Sequence, residues 1–236
     1  MNMQLFFSNI KEGNIFTLDE NESKHIIKVL RHKKGDLIYI TDGRGKLYSA
    51  TIISDDPRQC RASVSGTPVS VDRHNYYLHI AIAPTKNHDR LEWFVEKSVE
   101  MGIDEITPVI CEHSERKRVR IDRLQRVMLS AMKQSYKVHL TKINKAVDVS
   151  DLIRNEFDGN KYIAYLDKTG NTASLLAACK KNTNALILIG PEGDFSREEI
   201  NTALENDFTP ISLGNSRLRT ETAGLAACCA VYFANQ

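Results

Sequence analysis

The sequence predicts an α/β protein whose mainly parallel sheet, covered by helices, follows a small β-rich unit. Three observations carry this reading. From Tyr76 onward, short continuous apolar runs alternate with helical stretches, the pattern of strands buried on both faces and linked by crossover helices. Residues 1–72 instead hold short alternating segments broken by turn residues, which suits a small sheet or barrel. The third observation is where the site-like loops fall. Leu166-Asp167, Gly190-Pro191-Glu192-Gly193 and LGNSRLRTETAG (Leu213–Gly224) all follow strand-like runs in the C-terminal half, and open α/β sheets bind ligands beyond the carboxyl ends of their strands.

In chain order, GNIFTL, DLIYITDG, KLYSATIISDD and CRASVSGTPV read as strands, with turns at Asp36, Asp42-Gly43 and Gly45. One helix interrupts them, DENESKHIIKVLRHKKGD, with apolar Ile26, Ile27, Val29 and Leu30 and a stop at Gly35. VSVDRHN, around residues 69–75, is the expected junction, giving domains 1–72 and 73–236. Beyond it, YYLHIAIAP is a strand and DRLEWFVEKSVEMG a helix with Trp93 read as core. EITPVIC is a strand, RVRIDRLQRVMLSAMKQSYK a basic helix, KYIAYLD a strand and TASLLAACKK a helix. ALILIGPEG, TPISLGN and the helices SREEINTALEN and TAGLAACCAVYF complete the pattern. Ser196 and Glu199 form an S-x-x-E capping box.

The composition is that of a globular protein, 42% hydrophobic and 26% charged over 236 residues. Runs such as ALILIG are too short to span a membrane, and MNMQLFFSNIKEGN lacks a signal-peptide layout. Cys60, Cys111, Cys179, Cys228 and Cys229 contain no C-x-x-C pair, so neither a metal site nor a disulfide framework is expected, and a cytoplasmic location is. The net charge of +2 conceals a basic segment: residues 113–145 carry 10 Lys and Arg against 2 Asp and Glu. That suggests a polyanionic partner as readily as a solvated helix face. A second basic cluster is Lys28, Arg31, His32, Lys33 and Lys34, and His25 and His32 are spaced to share a helix face.

Neither a P-loop nor a G-x-G-x-x-G fingerprint is present, which excludes nucleotide triphosphates and dinucleotides bound in those ways. LGNSRLRTETAG combines small residues with Arg217 and Arg219 ahead of an apolar helix. Thr220 or Thr222 is positioned to cap that helix. Ala223, Gly224, Ala226 and Ala227 let it approach another backbone closely. Exposed backbone at a helix start reads a purine edge, and the arginines hold a phosphate or a developing oxyanion.

LGNSRLRTETAGLAA and LIGPEGDFSREEI, with HIIKVLRHKKGD, TDGRGKLYSATI, EKSVEMGIDEITPV and AMKQSYK before them, resemble the ribosomal RNA small-subunit methyltransferase E family. These are knotted SPOUT enzymes that methylate N3 of a uridine in 16S ribosomal RNA. The resemblance implies a PUA-like RNA-binding β domain, 1–72, and a SPOUT domain, 73–236, with a C-terminal trefoil knot. It further implies a homodimer, S-adenosylmethionine as cofactor, and 16S rRNA or the small ribosomal subunit as partner. By match, the cofactor residues are Leu166, Ile189, Gly190, Pro191, Glu192, Gly193, Leu213, Gly214, Leu218, Arg219, Thr220, Glu221, Thr222 and Ala223.

Arg217 and Arg219 are the catalytic candidates, aimed at a uracil carbonyl oxygen. Lys28, Arg31, Ser114, Arg116, Arg118, Lys133, Gln134 and Lys137 are the RNA-binding candidates. The chain departs from the family at Leu5, His113, Lys133, Lys137 and Asp194, the last standing where a second glycine is usual. Two other readings stand beside this one: a SPOUT methyltransferase acting on another RNA, and a non-catalytic RNA-binding ribosome assembly factor.

Overall fold

The structure, a computed structural model, describes residues 4–165 and 172–236. The chain divides into two compact units: Met1–Arg73 with Leu129–Leu140, and His74–Met128 with Thr141–Gln236.

The first unit is built on seven strands: β1 (Leu5–Phe7), β2 (Lys11–Glu12), β3 (Ile15–Thr17), β4 (Leu37–Thr41), β5 (Lys46–Ser54), β6 (Arg61–Val64) and β7 (Val69–Ser70). They run in the order β1-β4-β5-β6-β3-β2, with β7 beside β5. Only β1 and β4 pair in parallel. Period-two alternation on β5 sends Tyr48, Ala50 and Ile52 inward. They meet Phe6, Phe16, Leu18, Ile26, Ile38 and Ile40 in one core, where the Phe16 and Tyr48 rings pack edge to face at 4.9 Å. The Leu129–Leu140 segment adds to this unit through Thr41 Oγ1, which donates to the Val138 carbonyl, and through Leu140 N to Gly43 O.

The helix of this unit departs from expectation. Asp19 caps α1 (Glu20–Lys24) by accepting from Glu22 N, and the chain then continues as a π-type turn, His25–Val29. The chain leaves the helix at Arg31, which takes φ 62°, rather than at Gly35. Four apolar residues in five exceed one buried stripe, so Val29 faces solvent. His25 and His32 share no helix face: His32 lies beyond the helix, against Asp36.

The second unit contains β8 (Leu78–Ile82), α2 (His88–Met101), β9 (Glu105–Ile110), α3 (Ile121–Gln134), β10 (Lys142–Ile143), β11 (Val147–Asp148), α4 (Val149–Ile153), β12 (Asn160–Ala164), α5 (Leu175–Ala178), β13 (Ala185–Ile189), α6 (Arg197–Glu205), β14 (Phe208–Ile211) and α7 (Thr220–Ala234). The last six residues of α3 group with the first unit. The strands order as β10-β9-β8-β13-β12-β14, with β11 on β9, and every pair is parallel. The central strands β8 and β13 are buried at every position. This is why they appear in the sequence as nearly continuous apolar runs, broken only by His79.

Helix boundaries follow local chemistry. Asn87 caps α2 by accepting from Asp89 N, and Gly102 ends it in the left-handed region. Ser196 and Glu199 make the reciprocal capping box of α6. The basic stretch 116–137 is helical only from Ile121 to Gln134. Arg116, Arg118 and Arg120 therefore lie on the preceding loop and Lys137 beyond the helix end, past Tyr136 at φ 55°. Trp93 is 42% exposed rather than core. The buried stripe of α2 is Leu91, Phe94, Val95, Ser98 and Val99, and position 93 lies off it. Gly224 sets α7 close to its neighbours: a Cβ there would lie 2.7 Å from the Phe94 ring and 2.8 Å from Ile82. At this position the close approach of α7 is to side chains of α2 and β8.

Candidate active site

The strand order brings the carboxyl ends of β13, β12 and β14 side by side. Register aligns Ile189 with Ala164, and Ala164 with Ile211. The segments that follow these strands surround a cleft of about 400 Å³. Its walls include Ala164 at the end of β12 and Tyr165 after it, Gly190 to Asp194 after β13, Ile211 to Gly214 at the end of β14, and Ser216 to Thr220 leading into α7.

Of the sequence-predicted cofactor residues, Ile189, Gly190, Pro191, Glu192, Gly193, Leu213, Gly214, Leu218, Arg219, Thr220 and Ala223 line this cleft. Leu166 lies outside the described residues. Glu221 and Thr222 are not among the lining residues. On a helix, successive residues point about 100° apart, so Thr220 and Ala223 share a face that Glu221 and Thr222 do not. Glu221 is buried toward α2, its Oε1 3.7 Å from Arg90 Nε, and its Oε2 has no hydrogen-bond partner among the described residues. Thr222 is exposed. Sequence reasoning missed Ala164, Tyr165, Ile211, Ser212 and Ser216. They belong to strand ends and loop positions whose residue types carry no signal.

Neither threonine caps α7. Arg219 occupies the N-cap position with no side-chain cap bond. The Thr220 hydroxyl instead donates to the Gly190 carbonyl at 3.1 Å, tying the start of α7 to the β13 loop. The first N–H groups of a helix have no intrahelical acceptor and carry partial positive charge. Arg219 and Thr220, both cleft-lining, place that end of α7 at the cleft. The two arginines differ. Arg217 Nη2 donates to Glu192 O at 3.4 Å, whereas among the described residues the exposed Arg219 guanidinium makes no hydrogen bond or ion pair. Glu192 Oε1 accepts from Lys86 N at 3.3 Å.

The RNA-binding candidates divide between the two units, Lys28, Arg31, Lys133, Gln134 and Lys137 in the first and Ser114, Arg116 and Arg118 in the second. Lys28, Arg31, Arg118 and Gln134 are exposed, and Lys137 is half-buried. Ser114 is buried, its Oγ accepting from Cys111 N at 3.0 Å inside the turn after β9. Arg116 is spent on Lys86 O, through Nε at 3.1 Å and Nη2 at 2.9 Å, and on His88 Nε2 at 2.7 Å. Lys133 is paired with the buried Glu22, so it shares no free basic face with Lys137. Leu5 is buried within β1. Among the described residues, no three His, Cys, Asp or Glu side chains cluster to hold a metal, and no helix is long and apolar enough to cross a membrane.

A parallel α/β unit with a cleft across adjacent strand ends, walled by backbone, small apolar residues and arginine, is the architecture of a small-ligand enzyme site. Residues 72–232 match the RNA methyltransferase domain family, and residues 18–65 match the RNA methyltransferase PUA domain. The chain belongs to the RNA methyltransferase family. The ribosomal RNA small subunit methyltransferase E of Rickettsia conorii is 29% identical over 95% of this chain and 92% of its own length. That of Buchnera aphidicola is 28% identical over 97% and 92%. Among solved structures, a "probable rRNA-methyltransferase" from Porphyromonas gingivalis superposes with a TM-score of 0.90 at 40% identity, over 99% of this chain and 98% of that one. The ribosomal RNA small subunit methyltransferase E from Neisseria gonorrhoeae, solved bound to S-adenosyl methionine, gives 0.82 at 26% identity over 98% of each chain.

Proposed function

We propose that this chain is an S-adenosylmethionine-dependent methyltransferase that methylates N3 of a uridine in 16S ribosomal RNA, in the small-subunit decoding region. The observation that carries the reading is the cleft across the ends of β12, β13 and β14, with Arg219 at the start of α7 on its wall. S-adenosylmethionine joins a purine nucleoside to an amino acid carrying a carboxylate. It needs an apolar slot, backbone groups for the purine edge and a site for an anion. Ile189, Pro191, Leu213, Leu218 and Ala223 offer the first, the loop backbones at Gly190 and Gly214 the second, and the start of α7 the third.

The bound cofactor supplies a methyl group already activated as a sulfonium, so the protein chiefly aligns the reactants. Uracil N3 must lose its imide proton, which passes to water at the open cleft, and its loss leaves negative charge on the ring carbonyls. Arg219, with no competing partner among the described residues, stabilises that charge. Arg217 orders the Glu192 backbone and assists. An arginine stays protonated and takes no part as a base.

The first domain, 1–72, binds RNA in this reading, with Lys28 and Arg31 on its exposed turn. Domain 73–236 carries the reaction. In it the chain passes from β12 to the inner strand β13 and returns outside β12 as β14, an order that supports a C-terminal trefoil knot. Support for a homodimer comes from α7. It is apolar on nearly all sides, yet Leu225, Ala226 and Cys229 are only half-buried and Phe233 is 65% exposed. A helix apolar all round is expected to be covered. The protein works in the cytoplasm on 16S rRNA or the small subunit. Isothermal titration of the chain with S-adenosylmethionine tests the reading: saturable binding is expected. Absence of binding, with and without RNA, would instead favour an RNA-binding assembly factor.

A further inference from the structure

The turn after β9 is cross-bonded to the two loops that flank it. His113 Nδ1 donates to the Asp194 carbonyl at 3.0 Å. Glu112 N donates to Glu199 Oε1 at 2.8 Å, so the capping-box carboxylate also holds this turn. The fit is close, since a Cβ on Gly193 would lie 3.0 Å from the His113 Cβ. Asp194 itself takes φ 63°, a left-handed conformation that costs a non-glycine residue about 1 kcal/mol and persists only where neighbours hold it. Its N–H donates to Pro191 O and its carboxylate accepts from Phe195 N. The His113 bond fixes the carbonyl of that same strained residue.

Arg116 continues the ring of contacts. Two of its N–H groups clamp the Lys86 carbonyl, and Nη1 donates to His88 Nε2 at the start of α2. Because arginine is always a donor, His88 must accept here as the neutral Nδ1–H tautomer. Lys86 in turn gives its backbone N–H to Glu192, and Lys86 Nζ lies 3.0 Å from Glu115. The peptide that Arg116 grips is therefore one residue from the bond that holds Glu192, on the wall of the cleft. Lys117 and Arg118, the next two residues, are exposed, and among the described residues their side chains make no hydrogen bond or ion pair.

We infer that His113 and Arg116 are positioning residues for the cleft wall Gly190–Asp194, while Lys117 and Arg118 are the phosphate-facing residues of that turn. This rests on the S-adenosylmethionine reading above. The basic turn is thus divided by atom-level commitment: His113 is fastened to the cleft wall itself and Arg116 to the Lys86 segment that bonds Glu192, while Lys117 and Arg118 stay uncommitted.

Titration of S-adenosylmethionine and of a 16S rRNA fragment, each at several salt concentrations, tests the division on the full chain. His113→Ala and Arg116→Ala, which remove one and three hydrogen bonds, are expected to raise the S-adenosylmethionine Kd roughly fivefold to tenfold and to leave the salt slope of RNA binding unchanged. His113→Asn, whose amide N–H stands near the imidazole Nδ1 position, restores cofactor affinity. Arg116→Lys, which cannot form the fork, does not. The double variant Lys117→Ala plus Arg118→Ala weakens RNA binding and lowers its salt slope by about two. Thermal melting of each variant separates a local effect from unfolding: His113→Asn and Arg116→Lys melt as the parent does. If the parent binds S-adenosylmethionine and Arg116→Ala binds it equally well but loses RNA salt dependence, the positioning role is wrong and the cofactor reading survives. If the parent binds no S-adenosylmethionine, both are wrong.

Discussion

The Thr220 hydroxyl donates to the Gly190 carbonyl across 3.1 Å, joining the first residue of the last helix to the first residue after β13. Thr220 is only 4% exposed, so water cannot replace the bond. Thr220→Val keeps the shape and leaves the Gly190 carbonyl short of a donor, at a cost of about 1–2 kcal/mol. The expected outcome is a several-fold rise in the KM for S-adenosylmethionine with a small drop in Tm, read from steady-state kinetics and a thermal melt. An unchanged KM would show that the tie is structural only.

The two arginines of the last loop are expected to separate kinetically. Arg219→Ala removes the uncommitted guanidinium and should lower kcat by about 10²–10³, with RNA affinity little changed. Arg217→Ala removes a long bond to Glu192 O and should act mainly on the cofactor KM. Reversal of that pattern in single-turnover and steady-state rates would assign the anion-stabilising role to Arg217.

Lys133 gives a prediction about stability rather than RNA. It pairs with Glu22, which is 8% exposed and also accepts from Phe7 N at 3.3 Å. Lys133→Met strands that carboxylate and should destabilise the protein by about 2 kcal/mol, less than for a fully buried pair. The salt slope of RNA binding should stay the same. Arg31→Gly is expected to do the opposite. It relieves a left-handed non-glycine residue, raises stability by up to about 1 kcal/mol, and weakens RNA binding. Urea unfolding alongside salt-dependent RNA titration checks both.

Acid sensitivity follows from a polar network on β8, β9 and β10. Burial lowers the His79 imidazole from 6.5 to about 4, although Glu105 nearby works against it. Burial would raise the Glu105 carboxyl, but hydrogen bonds from Lys142, Tyr77 and Asn144 outweigh it and bring the group from 4.5 down to about 2. Both folded-state values lie below the unfolded ones, so the unfolded chain binds more protons and stability falls as the pH is lowered. The His79 contribution is present above about pH 6.5 and lost as pH falls toward 4; that of Glu105 is lost between about 4.5 and 2. The His79 loss is on the order of 3 kcal/mol. Urea unfolding across this range should show the decline, and His79→Gln, which carries no titrating group, should flatten its upper part.

Much of the second unit is legible in the sequence because its strands are buried on both faces. ALILI stands out as an unbroken apolar run and LHIAI as one interrupted only by His79, and the capping box of α6 is readable from two residues three apart. The small-residue loops after β13 and β14 are equally visible as segments. That they meet is not, since strand order arises from long-range pairing that no local pattern encodes. The same holds for the Lys133–Glu22 pair and for Arg116, whose guanidinium looks like a phosphate ligand until its carbonyl partner thirty residues earlier is seen. The π-type turn at His25–Val29 and the exposed Trp93 mislead for a different reason: apolar residues outnumber the positions one helix face can bury.

The most direct test of the proposed reaction is nucleoside analysis of 16S rRNA. An undermodified small subunit or rRNA fragment is incubated with the purified chain and methyl-labelled S-adenosylmethionine, then digested and resolved by mass spectrometry. The account predicts label in 3-methyluridine at a single position, lost with Arg219→Ala. Label appearing only in another nucleoside or on a ribose hydroxyl, or no transfer at all by a chain that binds the cofactor, would contradict it.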